Sequence, residues 1–227
     1  MPQGGRADAS DFGFDDVTIP LSGGRSVSGL LGVPSNALAG YVMAHGAGAG
    51  MRHDFMAAMA KDLAAAGIAS LRYDFPYMEE GRKRPDPPAV AKSVVRAAVE
   101  LARVRVPGLP LFAGGKSFGG RMTSQAQASQ PLEGVRGLIF LGFPLHPAKQ
   151  PSASRGEHLS DVSVPMLFLQ GERDALAVTP LLTALVGGLG QRATAKIVPH
   201  ADPAPVDPTR RSGSSSPPPW RSGSRMS

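Results

Sequence analysis

Residues 109–122 read LPLFAGGKSFGGRM, and how this stretch is read decides the fold. Either its GGKS closes a phosphate-binding loop, or its GKSFG is the GxSxG turn that presents a nucleophilic serine. Both motifs set a glycine-rich turn between a strand and a helix, so the flanking residues must choose between them. A P-loop needs a glycine five positions before Gly115, where its backbone amides begin to surround the phosphates. That position is Pro110, and Gly108 is off register. Residues 110–113 form the body of an apolar strand and leave no room for a loop. The serine turn fits. Gly115 and Gly119 stand two residues to either side of Ser117, where only small residues let strand and helix approach. LPLFAG supplies the strand, and Arg121 and Met122 begin the helix.

Outward from this unit the same rhythm recurs. GYVMA (40–44), IASLRYD (68–74), GLIFLGF (137–143), PMLFLQG (165–171) and TAKIV (194–198) are short, nearly continuous apolar runs. Strands buried on both faces of a parallel sheet have this pattern. Helical segments separate several of them. Asp54 is placed to cap FMAAMAKDLAAA, which stops at Gly67; Pro88 opens AVAKSVVRAAVELARV; PLLTALVGGL starts more weakly at Pro180. Residues 16–33, DVTIPLSGGRSVSGLLGV, alternate apolar and polar positions about Ser22, Gly23 and Gly24, which predicts a hairpin. The chain therefore reads as an α/β fold: a mostly parallel central sheet with an N-terminal antiparallel hairpin and flanking helices. In such a sheet, ligands sit at the carboxyl ends of the strands.

Length and composition bound the function. At 227 residues, with 42% hydrophobic and 19% charged, the chain suits one globular domain. We expect a flexible N-terminus (1–15), a domain over 16–201, and a disordered tail (202–227), because DPAPVDPTRRSGSSSPPPWRSGSRMS cannot build a packed core. No cysteine is present, which excludes disulfides, thiolate metal ligands and a cysteine nucleophile. Of the formal charge of +6, the tail supplies +2 from four Arg against two Asp. The densest basic cluster, Arg82, Lys83 and Arg84 in GRKRP, has no aromatic interleaving; it reads as a solvated loop, with anion binding as the alternative. A nucleic-acid partner is not expected. Neither is a membrane, since no apolar run nears the ~18 residues of a span and the start lacks a signal-like stretch; the expected compartment is the cytoplasm.

A serine at its ordinary pKa needs a base, an acid to orient that base, and donors for the oxyanion. In this fold the chain order is Ser, acid, His. PMLFLQGERD ends a strand and places Asp174 just beyond it as the acid, with a capping turn aspartate as the alternative. The oxyanion donors are the backbone amides of Phe118, next after the serine, and of Ala47, in the HGAGAGM loop (45–51). HGAGAG lacks the GxGxxG spacing of a dinucleotide site.

The ordered set HGAGAGM, RYDFPYMEEGRKRPDPP, GGKSFGGRM, LGFPLHP, EHL and LQGERDAL resembles a family of small, dienelactone-hydrolase-like α/β-hydrolases. That family includes the hydrolase-like domain of a subunit of the eukaryotic nonspecific-lethal chromatin complex. The resemblance covers about residues 16–201. It implies Ser117 as nucleophile, Asp174 as acid, Ala47 and Phe118 as oxyanion residues, and no metal or cofactor. The implied reaction is hydrolysis of an ester, thioester or similar acyl bond in a small-molecule substrate. The loop MEEGRKRPDPP would wall the cleft, its basic residues favouring an acidic substrate.

The resemblance breaks at the base. Hydrolases of this type continue after the last strand with a small residue, Asp and then His, whereas here KIVPHAD runs into Pro203. His200 comes three positions early and reaches Ser117 only if the strand ends early and its loop folds back. His146, in GFPLHP, is the second candidate, expected to face the cleft. His45 is expected to brace the oxyanion loop, His53 to be solvated and His158 to be structural. Two explanations fit: a diverged, non-catalytic hydrolase-like domain used for binding or scaffolding, or a reading-frame slip near Asp202. We favour the second.

Overall fold

In the computed structural model, which describes residues 13–199, the N-terminal alternation does build a hairpin. Strands β1 (Asp15–Pro20) and β2 (Ser26–Gly32) pair antiparallel from Asp15↔Leu31 to Pro20↔Ser26 across a turn at Ser22–Gly24. The apolar runs form β3 (Ala39–Ala44), β4 (Ile68–Tyr73), β5 (Leu111–Lys116), β6 (Val135–Leu141), β7 (Met166–Gly171) and β8 (Ala193–Val198). Among the described residues these make one eight-stranded sheet in the order β1-β2-β4-β3-β5-β6-β7-β8. From β4 to β8 every pairing is parallel. The carboxyl ends of β3, β5, β6, β7 and β8 therefore open on one edge of the sheet, next to one another.

Five α-helices lie among the described residues: α1 (Asp54–Ala65), α2 (Pro76–Glu79), α3 (Pro88–Arg105), α4 (Phe118–Ser129) and α5 (Thr179–Gly188). Helix α3 buries Ala91, Val94, Val95, Ala98, Val99 and Ala102, a stripe at helical spacing. It packs with α4 on the sheet face that carries Val42 and Ala44. The alternate residues of β3, Tyr41 and Met43, point the other way and meet Met56 and Ala60 of α1. Covering both faces is what a parallel sheet demands.

Several expectations need correction. Helix α1 is capped by His53, whose Nδ1 accepts the amide of Phe55 at 3.2 Å, so Asp54 is its first helical residue, not its cap. Helix α4 starts at Phe118, three residues before Arg121. Strand β1 takes in Asp15, one residue before the predicted start of the hairpin, and Phe14 packs beside α1. The turn of α2 and a 3-10 segment at Ser154–Asp161 have no counterpart in the sequence reading. No helix among the described residues is long and apolar enough to cross a membrane. His200 and the tail over 202–227 lie outside the described residues.

Candidate active site

Ser117 sits at the turn between β5 and α4 with φ 46° and ψ −111°, a conformation that non-glycine residues rarely hold. Two close approaches fix it. A Cβ on Gly115 would lie 2.1 Å from the carbonyl oxygen of Ala44, and one on Gly119 would lie 2.5 Å from that of His45. Strand β5 thus presses on the end of β3, and helix α4 presses on the loop that follows it. The Ser117 amide donates to the Gly142 carbonyl at 3.0 Å, which ties the turn to the end of β6. Residues of ordinary size at 115 or 119 would not permit this packing.

The two amides expected to receive an oxyanion come from the same two places. Phe118 is the first residue of α4, where an amide has no partner within the helix. Ala47 lies exposed on the 45–51 loop, and neither amide donates to a protein acceptor among the described residues. That loop is held from below. His45, fully buried, has Nδ1 2.8 Å from the Gly46 carbonyl, while its Nε2 accepts the amide of Phe75 at 3.2 Å and lies 3.5 Å from Asp74 Oδ1. Such an arrangement assigns the proton to Nδ1. Burial keeps the imidazole pKa below its ordinary value, outweighing the Gly46 carbonyl and the Asp74 charge. Asp74 Oδ1 also accepts the Met51 amide at 2.6 Å, and Arg72 donates to the Met51 carbonyl at 3.0 Å. Both ends of the glycine-rich loop are therefore fastened to the end of β4. The rings of Phe75 and Tyr77 pack edge-on against Phe118, at 5.4 and 6.4 Å between centroids.

Asp174 stands after β7. Its Oδ2 accepts from Gln170 Nε2 at 2.6 Å, and its Oδ1 accepts the Leu176 amide at 2.8 Å. A Cβ on Gly142 would lie 3.4 Å from Asp174 Oδ2, so the carboxylate abuts the residue whose carbonyl holds the Ser117 amide. Gln170, wholly buried, also receives the Phe143 amide through Oε1 at 2.8 Å, which locks β6 to β7 beneath the acid. Lys116 stands over the Phe55 ring, 4.2 Å from its centroid; burial lowers its pKa and the Asp174 charge opposes that shift.

The histidines sort clearly. His146, expected to face the cleft, is buried, with Nδ1 2.9 Å from the Pro147 carbonyl and Nε2 accepting the Val178 amide at 3.3 Å. Both nitrogens are in use, and it pins the loop after β6 to the loop after β7. His158 pairs through Nε2 with Ser124 Oγ at 2.7 Å. Ser124 is wholly buried in the middle of α4, whereas Ser117 is partly exposed. Strand β8 ends at Val198, which pairs with Gly171 and whose carbonyl accepts the Glu172 amide at 3.1 Å. Residues from His200 onward lie outside the described residues.

Sequence reasoning missed Gln170 and the brace formed by Asp74. One signal for Gln170 was visible: it is the sole polar side chain in the apolar run PMLFLQG. Arg82, Lys83 and Arg84 are exposed, as expected of a solvated loop, and Arg82 donates to Glu80 at 2.5 Å and to Asp86 at 2.7 Å. Asp86 in turn accepts the Tyr77 amide at 2.9 Å. Arg82 therefore closes its own loop and is not held ready for a ligand.

A strained serine between a parallel strand and a helix, beside a glycine-rich loop and an acid from a later strand, belongs to the α/β class of hydrolase folds. The chain belongs to the alpha/beta hydrolase domain family, whose profile matches residues 38–224. Solved structures agree on the fold. A dienelactone hydrolase from Anabaena variabilis is similar with a TM-score of 0.70 and 21% identity, over 85% of this chain and 88% of that one. An alpha-beta serine hydrolase homologue from Coxiella burnetii gives 0.67 and 17%, over 82% and 88%. A serine hydrolase without a lid from Xanthomonas campestris gives 0.65 and 21%, over 83% and 84%.

Proposed function

We propose that this protein is a serine hydrolase acting on an ester, thioester or related acyl bond of a small molecule, with Ser117 as nucleophile. The observation that carries this reading is the backbone of Ser117, φ 46° and ψ −111°, held by a contact on each side that only glycine allows. Strain of roughly 1–3 kcal/mol persists where the surroundings enforce it, and such sites are commonly functional. In the proposed reaction Ser117 Oγ attacks the acyl carbon as a histidine takes its proton. The carbonyl oxygen becomes an oxyanion received by the amides of Phe118 and Ala47, and Asp174 steadies the imidazolium. The tetrahedral species then expels the alcohol or thiol, which takes the proton back from the histidine and leaves the acyl group on Ser117; water attacks that ester, giving a proton to the histidine, and the acid departs as the proton returns to Ser117 Oγ. His200 is the base we propose, because in sequence it comes two residues after Val198, the strand end that pairs with Gly171, itself three residues before Asp174. The narrower kinship with the chromatin-complex subunit rests on the order of motifs alone.

The test is labelling by a fluorophosphonate probe. Wild-type protein should label, and Ser117→Ala should not. A folded wild-type chain that never labels favours the second reading, a binding or scaffold domain on the same fold. One observation supports that alternative: within the described residues, the Asp174 carboxylate is bonded to Gln170 and Leu176 and to no histidine.

A further inference from the structure

Ser117 caps helix α4, and Arg121 and Ser124 follow it at spacings of four and three, which sets Arg121 about one turn along the helix from the serine. Against α4 lies the Ser154–Asp161 segment, joined to it by the Ser124–His158 hydrogen bond. Arg155 of the segment is anchored through its amide to the carbonyl of Leu145, in the loop that follows β6 at the carboxyl edge of the sheet. Arg121 is half-buried, and its Nε is shut off from solvent with no hydrogen-bond partner. Among the described residues neither Arg121 nor Arg155 makes an ion pair or a side-chain hydrogen bond, in contrast to Arg82, Arg96 and Arg103. Arg121 stands three residues before Ser124 and Arg155 three before His158, so the Ser124–His158 bond sets the two arginines on adjoining segments; burial lowers the pKa of Arg121, and the charge of Arg155 adds to the effect. His158 senses this surplus too. Its pKa is lowered to about 4, chiefly by burial and then by Arg121, with Asp161 opposing and Lys92 adding.

Two forked cations that repel each other, one with a buried donor unsatisfied, are costly unless an anion is shared between them. We propose that Arg121 and Arg155 form a subsite for an oxyanion, a carboxylate or phosphate carried by the acyl substrate one helical turn from Ser117. Planar guanidinium groups match both anions in two-pronged geometry. The inference rests on reading Ser117 as the nucleophile, and it moves the preference for acidic substrates from the 82–84 loop to the nucleophile helix.

The test compares mono-p-nitrophenyl glutarate with the neutral p-nitrophenyl valerate. Wild-type protein should favour the anionic ester in kcat/KM, and the anionic-to-neutral ratio should fall about tenfold or more in Arg121→Gln, in line with the loss of a charged hydrogen bond. Arg155→Gln provides the same reading if the first variant does not fold, and Arg121→Lys should recover part of the preference. A ratio unchanged in both glutamine variants overturns the proposal. Binding is measured separately by calorimetry in Ser117→Ala, using glutarate monomethyl ester and inorganic phosphate to distinguish the two anions. Weaker binding in the double variant Ser117→Ala/Arg121→Gln supports the subsite even if the wild-type chain never labels, which would remove only the nucleophile. Equal binding in single and double variants sinks the subsite even if labelling succeeds.

Discussion

Ser117 shows how one residue can hold strain for use. Its backbone angles suit glycine, so Ser117→Gly should relieve roughly 1–3 kcal/mol of strain against about 0.5–1 kcal/mol of added chain entropy. We expect a net gain near 1 kcal/mol in urea unfolding, with labelling abolished. A variant no more stable than wild type would mean that the turn is relaxed. At this scale the placing of Ser117 in the turn after β5, of Asp174 after β7 and of the flanking glycines was legible in the sequence, because strand ends and glycine-compelled turns leave local signals. The partners of Asp174 were not. Gln170 lies four residues earlier, on β7, yet its pairing depends on how far the turn after that strand curls back, and no local pattern encodes that.

At the scale of elements, the Ser124–His158 bond couples the nucleophile helix to the 154–161 segment, and it has a pH signature. His158 titrates near 4 in the folded protein and near the ordinary 6.5 when unfolded. Between those values the unfolded chain binds the extra proton, so stability is full above pH 6.5 and falls as the pH drops toward 4. The loss should be on the order of 1–2 kcal/mol once solvent screening is allowed for. His158→Asn should flatten that slope of urea midpoint against pH, and Ser124→Ala should weaken the fold by about 1 kcal/mol while leaving Ser117 open to the probe. Loss of labelling in Ser124→Ala would instead point to the buried pair. Strands and long helices were legible because their apolar periodicity is local. The 3-10 segment, with its polar sequence SRGEHLSD, was not, since what holds it is contact with α4.

For the molecule as a whole, the five strand ends that carry the site are consecutive in the order β3-β5-β6-β7-β8. In the proposed reaction the base comes from the chain beyond β8. If His200 is that base, His200→Ala should slow labelling by about 10²–10⁴-fold, the usual share of general-base catalysis. An unchanged rate would exclude it. Translating the gene in its other two frames from codon 202 gives an independent check. A slipped frame predicts His beside Asp followed by an amphipathic helix, and their absence from both frames ends that idea.

The hairpin of β1 and β2 lies at the far end of the sheet order from β5–β8, and its exposed turn at Ser22–Gly24 bears no part of the site. Loop tips of this kind tolerate insertion. A peptide tag or fluorophore placed between Gly23 and Gly24 should therefore give a handle for immobilising the protein on a surface with its reactive edge free. Single-molecule capture or a probe-based screen could then begin without disturbing either terminus.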